Sequence, residues 1–338
     1  MRFTHLMLDR FLRSRLLQLA ATVVALASLV GGAAAQPYPT RTVTIVVPFA
    51  AGGPTDIIAR LLAERLQSSL GQPFIIENVT GAAGTTGVGR VARAPADGYT
   101  FVMASISTHV FNAVVYNKLG YDVMEFEPVA LVCSAPMMII GRKSLPASNL
   151  KELVDYFKTN PDKGTQGYYG VGNISHVGGV YFQKETGAHY AYVAYRGSNP
   201  AMQDLLAGQI DIIIDLAASA VPQVQAGNIK GFAVMGKTRL KQVPDVPTTD
   251  EAGWPGFYMN YWNAIWAPKG TPKDIIAKVN GVIANALAGD EIVRKRLEEL
   301  AQMIPTREQA TPDALGKLQK DEAAKWWPII KAANIKVE

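Results

Sequence analysis

Cysteine is almost absent from this chain: Cys133 is the only one among 338 residues. A lone thiol excludes an intramolecular disulfide and any cysteine-based metal cluster. It stands in the apolar run Val129 to Ile140, where a small core residue fits better than a reactive thiol. Histidine is scarce as well, at four residues. His5 falls in an N-terminal leader, which leaves His109, His176 and His189 for acid–base or metal chemistry. There is no GxSxG and no HExxH. No nucleophile is paired with a base by spacing, so no catalytic residue, no metal ligand set and no cofactor is expected. Long hydrophobic runs are missing beyond the first thirty residues, which excludes a helical membrane span in the rest of the chain.

What the first 35 residues hold is a leader pattern. Arg2, Arg10, Arg13 and Arg15 precede the apolar run Leu16 to Val30, and Ala33-Ala34-Ala35 offers a small-residue cleavage site. Residues 1–35 therefore read as a secretory signal peptide, and the mature protein is expected in the periplasm, not inserted in the membrane. Removing four arginines and Asp9 leaves 29 basic against 27 acidic residues, a net charge of +2 in place of +5. The remaining charges are scattered with signs interleaved, which argues against nucleic acid as a partner. The length allows two domains of ordinary size.

The most informative stretch is VTIVVPFAAGGPTDIIARLLAERL, Val43 to Leu66. The β-branched run Val43 to Val47 reads as a buried strand that Pro48 stops. Ala50-Ala51-Gly52-Gly53 is a loop almost without side chains. Pro54-Thr55-Asp56 opens a helix with Ile57, Ile58, Leu61, Leu62 and Leu66 at helical spacing. Such a strand–glycine turn–helix start can bind an anion, because free N–H groups and the positive end of the helix dipole meet there. It reads equally as a plain tight turn. No Lys-Ser or Lys-Thr follows the glycines and they are not spaced GxGxxG, so a carboxylate suits the loop better than a nucleotide.

Further along, strands are expected at Phe74–Asn78 and Tyr99–Met103, the second leading on to the hydroxyl-rich loop Ser105 to Thr108. A crossing strand is expected from Glu127 to Ile140. Ser148 is a candidate cap for a helix to Phe157. A second glycine loop, Tyr168 to His176, precedes another helix, and strands are expected at Tyr190–Tyr195, Gln209–Asp215, Phe232–Met235 and Tyr258–Ala267. Helices follow at 274–287, 290–300 and 312–325, the last leading into Trp326-Trp327. Strands alternating with helices predict α/β lobes with mostly parallel sheets, and ligands bind at the carboxyl ends of such strands. Each half has a glycine loop opening a helix, so two lobes would present these loops across a cleft suited to a small anion.

VPFAAGGPTD, ENVTGAAGTTG, DGYTFVMAS, KLGYD, YRGSNPAMQDLLAGQID, PDVPTTDEAGWPG and APKGTPKDI, in this order, resemble the substrate-binding proteins of tripartite tricarboxylate transporters, the Bug or TctC-like family. The resemblance covers nearly the whole chain after the leader. It implies a two-lobed periplasmic-binding-protein-like fold (type II), with lobe 1 at 36–138 and 262–338 and lobe 2 at 139–261. It also implies a monomer with no enzymatic activity that captures a small organic acid and delivers it to a two-component membrane permease. A periplasmic sensor signalling through a receptor would need the same cleft.

Matched to the family's motifs, the ligand-binding positions are Phe49, Ala51, Gly52, Gly53, Thr55 and Asp56 in the first loop. Ser107 and Thr108 follow from the hydroxyl-rich loop, Gly172, Asn173, Ser175 and His176 from the second lobe, and Asp215 from the strand after DLLAGQID. Many relatives carry a proline where Ala51 stands; here Pro54 follows the glycines instead. A few backbone and hydroxyl donors at about 1.5–3 kcal/mol each can hold a carboxylate, so no arginine clamp is required. Asp215 could bind a ligand ammonium or hydroxyl, or cap the next turn, and Arg196 reads better as an internal ion pair. Tyr168, Tyr169 and Trp262 could stack on an aromatic acid or fill the core. Neighbouring strand tyrosines must point to opposite faces. Dicarboxylates, tricarboxylates and aromatic carboxylates all remain open, with the aromatics tilting the reading toward an aromatic or longer diacid.

Overall fold

Val43–Val47 forms the first strand, β1, with four of its five residues buried. The computed structural model describes residues 38–161 and 163–337, so the signal-peptide reading of residues 1–35 lies outside the described residues. From Arg41 onward the chain is one compact unit.

Helix α1 (Pro54–Leu70) follows β1 and buries Ile58, Leu62 and Leu66, and Gly71 ends it in the left-handed conformation. Strand β2 (Phe74–Asn78), helix α2 (Thr85–Ala92) and strand β3 (Thr100–Ser105) come next. A wide turn, Ser107–Phe111, leads into the single helical turn α3 (Asn112–Val115). The expected crossing strand is β4 (Phe126–Arg142), 17 residues long. Then come α4 (Leu150–Thr159), β5 (Thr165–Tyr169), α5 (Ile174–Thr186), β6 (Ala191–Tyr195), α6 (Ser198–Leu206), β7 (Ile212–Leu216), α7 (Ala217–Gln225) and β8 (Ile229–Val234). Strand β9 (Asn260–Pro268) and helices α8 (Lys273–Gly289), α9 (Glu291–Glu299) and α10 (Pro312–Ala332) close the chain.

The strands lie in the order β2-β1-β3-β9-β4-β7-β5-β6, with β8 also on β4. Each end of the order is a parallel trio, β2-β1-β3 and β7-β5-β6. Between them β9 and β4 pair antiparallel, so the sheet is mixed, the parallel strands expected from βαβ alternation forming its outer parts. Strand β4 serves both halves. It pairs with β9 as far as Pro136–Asn260 and with β7 from Met137–Leu216 onward. Pro128 is accommodated by register shifts toward β9.

One hydrophobic cluster runs through both halves, from Val46 and Phe111 to Phe182 and Trp326. Trp326 stacks edge-on against Phe111 and Tyr181, at 5.7 and 5.0 Å between centroids, so α10 packs against elements of both halves. That helix runs past the expected end at Lys325 and through Pro328. Packing of Trp326, Ile329 and Ile330 outweighs the one backbone bond the proline removes. The cap of α4 is Asn149 rather than Ser148: Asn149 accepts from the Glu152 amide at 2.9 Å, and Glu152 accepts from the Ser148 amide at 2.7 Å. No helix among the described residues is long and apolar enough to cross a membrane.

Candidate functional site

Three loops gather at the carboxyl ends of β1, β2 and β3. A Cβ on Gly84 would lie 2.7 Å from Thr108 Cγ2 and 3.4 Å from Pro48 Cβ, and one on Gly87 would lie 2.6 Å from the Val79 carbonyl. Glycine is what lets these backbones touch. In the first loop Gly52 has φ +78° and Gly53 stands extended before Pro54, with no side chain capping the first turn of α1. That helix start is open to an anion.

Asp56 shapes this loop from beneath. Its carboxylate accepts from the Gly52 amide at 2.8 Å, Arg60 Nε at 3.0 Å and Asn78 Nδ2 at 2.9 Å. Burial works against its charge, yet the bonds from Arg60, Gly52 and Asn78 hold its pKa below the usual carboxylate value. Asn78 also donates to the Phe49 carbonyl at 3.0 Å, fixing the other end of the loop. Ala51 and Gly52 are exposed, Phe49 and Gly53 half-buried.

Behind the loop lies a floor of hydroxyls. Thr55, the second residue of α1, is buried and donates from Oγ1 to Asn263 Oδ1 at 2.9 Å. Asn263 pairs in register with Ser105, and two residues earlier on the same face of β9 stands Tyr261. Burial raises the Tyr261 phenol's pKa, and neighbouring Ser105 and Thr55 hydroxyls pull it back. Ser105 Oγ and Ser107 Oγ are buried without a hydrogen-bond partner. Thr108 is committed to structure: its hydroxyl donates to the Ser105 carbonyl at 2.9 Å and accepts from the Ser105 amide at 3.1 Å. Cys133 lies under this floor, buried, with its thiol pushed up to about 12, which leaves it inert.

In the second half, Asp215 stands one residue before the end of β7 with no exposed surface. It accepts from Tyr169 Oη at 2.8 Å, Ser198 Oγ at 3.0 Å, Ser219 Oγ at 2.7 Å and the Leu216 amide at 2.8 Å. Burial lifts its pKa, while Ser219, Tyr169, Leu216 and Ser198 counter the lift. The Tyr169 phenol is held well above its usual range by burial and by Asp215, and it also feels Tyr261 of the first half.

The second glycine loop is built around the start of α5. Asn173 caps the helix, accepting from the Ser175 amide at 3.4 Å. Ser175 is buried, and its hydroxyl accepts from the Tyr169 amide at 3.1 Å. His176 Nδ1 accepts from the Gly172 amide at 3.2 Å, which leaves Nε2 carrying the proton and free to donate. Burial pulls its pKa down to about 4, so it is neutral at pH 7. Gly172 itself sits on Val115 of the first half, where an added Cβ would come within 2.5 Å.

The structure thus divides the expected residues. Phe49, Ala51, Gly52, Gly53, Asn173 and His176 keep accessible surface. Thr55, Asp56, Thr108, Ser175 and Asp215 are buried and engaged with the protein, and Ser107 is buried without a partner, so Asp56 and Asp215 position loops instead of presenting free carboxylates. Tyr168 stacks on His176 at 4.4 Å, and Trp262 is 1 % exposed, tilted against Trp266 at 5.8 Å. Neither is a free stacking platform. Sequence reasoning missed Tyr261, Asn263, Asn78 and Ser198. The alternation of Tyr261 and Asn263 along an otherwise apolar strand was the available signal. Among the described residues no cluster could hold a metal ion.

The family model described as "Tripartite tricarboxylate transporter family receptor" matches residues 58–335. The protein BugT of Bordetella pertussis is 32 % identical over 327 residues, 96 % of this chain and 99 % of that one. The fold is similar to that of MatC from Rhodopseudomonas palustris, solved with bound malate, at a TM-score of 0.77 and 37 % identity, covering 87 % of this chain and 100 % of that one. It is similar also to Rpa4515 of R. palustris, solved with adipate, at a TM-score of 0.79 and 34 % identity, covering 89 % and 100 %.

Proposed function

The chain belongs to the tripartite tricarboxylate transporter receptor family, a family of solute-binding proteins and not of enzymes, and from that premise we propose that it captures an aliphatic dicarboxylate of four to six carbons in the periplasm. The observation that carries the reading is the uncapped start of α1 behind Gly52-Gly53, with the unpartnered Ser105 hydroxyl and Tyr261 beside it. One carboxylate accepts from the first-turn amides of α1 and these hydroxyls, and His176 Nε2 donates from the other half.

Malate on MatC and adipate on Rpa4515 favour the aliphatic class. Against the tilt toward an aromatic or longer diacid, Trp262 is core and His176 stacks on one face of Tyr168, which leaves less ring surface for an aromatic acid, while adipate on Rpa4515 suits the longer diacid. The two halves, 36–138 with 262–338 and 139–261, close on the solute by rotating where β4 changes partner. The closed form delivers it to a two-component permease.

A thermal-shift panel on refolded protein tests the solute class. Malate, succinate and adipate should each raise the melting temperature, since a ligand at a hundred times its Kd adds about 2.7 kcal/mol. Citrate and terephthalate should do less. Stabilisation by terephthalate alone would replace the aliphatic reading, and no response to any acid would end the carboxylate assignment.

A further inference from the structure

We propose, on the footing of a dicarboxylate held between the two halves, that Tyr168 and Tyr192 are positioning residues for His176. They hold it as a one-way hydrogen-bond donor, and the solute site thereby selects diacids over their 2-amino counterparts. Tyr168 lies near the end of β5 and Tyr192 on neighbouring β6. The Tyr168 ring stacks on the imidazole at 4.4 Å between centroids and 24° between planes. Tyr192 meets the imidazole edge-on at 5.3 Å and Tyr168 edge-on at 6.0 Å, so the three rings form one cluster. Tyr192 is itself pinned. Its hydroxyl donates to Gln183 Oε1 at 2.8 Å, and Gln183 Nε2 donates to the Tyr190 carbonyl at 3.2 Å. Gly179, one turn after His176 on α5, lets the helix sit this close, since a Cβ there would lie 3.0 Å from Tyr192 Cε1.

The rings fix the imidazole plane. The Gly172 amide fixes which nitrogen faces inward, by donating to Nδ1 at 3.2 Å. Tyr168, Tyr192 and that amide are uncharged at neutral pH, so none of them favours the cationic form, and burial keeps His176 neutral down to about pH 4. His176 therefore offers a solute one N–H and no lone pair. A carboxylate or hydroxyl oxygen accepts from it, whereas an ammonium there sets donor against donor.

The site's two acids are already engaged inside the protein. Asp56 accepts from Gly52, Arg60 and Asn78. Asp215, without exposed surface, accepts from Tyr169, Ser198, Ser219 and Leu216. A 2-amino diacid thus brings a positive charge that sheds water and gains neither carboxylate in return, while a 2-hydroxy diacid such as malate meets no such cost.

The full chain, refolded with 15N-labelled histidine, is read first by NMR without solute. The His176 signal, assigned by its absence from His176→Gln, should show the Nε2–H tautomer and stay neutral at pH 5. Tyr168→Leu should bring in the Nδ1–H tautomer and raise the protonation midpoint toward the ordinary 6.5, while Tyr168→Phe, which keeps the ring, should match wild type. Tyr192→Leu serves if Tyr168→Leu fails to fold. An unchanged His176 signal in the leucine variant would overturn the positioning role. Calorimetry at pH 7 then compares succinate with aspartate and glutarate with glutamate, pairs that differ only in the ammonium. In wild type the amino diacid should bind more weakly by about tenfold or more. Tyr168→Leu should narrow that gap by about threefold or more, and Tyr168→Phe should retain it. Equal or tighter binding of the amino diacids to wild type would overturn the selection and leave the dicarboxylate site standing. Binding of neither member of a pair would overturn the selection together with that site.

Discussion

Tyr169 at the end of β5 and Asp215, one residue before the end of β7, share a 2.8 Å hydrogen bond across adjacent parallel strands. The bond ties the two strand ends below the second glycine loop. Through its other oxygen the same carboxylate holds Ser198, the first residue of α6, and Ser219 in the first turn of α7. One buried acid thus sets the geometry of three loops.

Tyr169→Phe should therefore lower stability by about 1–3 kcal/mol, the cost of removing one donor from a buried charge. The loss should appear as a lower urea midpoint with an unchanged slope. A midpoint equal to wild type would mean that the other three donors suffice and that the phenol is free for the solute.

Gly52→Val should abolish solute binding and leave a cooperatively folded protein. A Cβ at Gly52 meets nothing within 4 Å, but φ is +78°, so the fold bears a strain of about 1–2 kcal/mol while the side chain stands over the loop amides. Calorimetry with malate or adipate checks this. Affinity within a few-fold of wild type would remove the first loop from the site.

The outer strands, the glycine loops and the crossing strand were legible because β-branched runs bounded by Gly and Pro carry local information. The floor was not. Thr55, Ser105, Tyr261 and Asn263 meet only through strand pairing over more than 150 residues of chain, and nothing local to any of them marks that pairing. The family resemblance placed Asp56 and Asp215 among the ligand positions, and the residues themselves left Asp215 open between a ligand group and a cap. Their internal role depends on Asn78, Ser198 and Ser219, whose approach only the fold decides. Trp262 and Tyr168 suggested a stacking surface, but alternation on β9 sends Trp262 to the opposite face from Tyr261, and His176 covers Tyr168.

Acid should destabilise the protein below about pH 6.5. Burial lowers the pKa of His109 to about 3 and that of His176 to about 4, against 6.5 for an unperturbed histidine. The unfolded chain therefore binds more protons across that window, and stability falls as pH drops, by about 1.4 kcal/mol per unit for each histidine. Asp215, raised by burial, works in the opposite direction at the acid end. The groups packed on His109 are Thr108, Phe126 and Trp266, all uncharged. Urea midpoints at pH 7 and pH 5 should differ less in His109→Phe than in wild type; parallel losses would show that His109 protonates without unfolding.

Removing the floor hydroxyls should separate binding from stability. Ser105 Oγ is buried without a partner, an arrangement that costs the unliganded fold about 1–3 kcal/mol and that a ligand oxygen would relieve. Ser105→Ala should leave the melting temperature of the unliganded protein equal or higher, and Tyr261→Phe should change it little. The polar groups beside the Tyr261 phenol include the uncharged Ser105 and Thr55 hydroxyls, and among the described residues no hydrogen bond ties it to a charged side chain. Both variants should weaken malate or adipate binding, whichever wild type takes, by about tenfold, in the range of one lost charge-assisted bond. If either substitution lowered the unliganded melting temperature by several degrees and spared affinity, that hydroxyl would be structural. The carboxylate would then be held by the amides of the first turn of α1 without help from the floor.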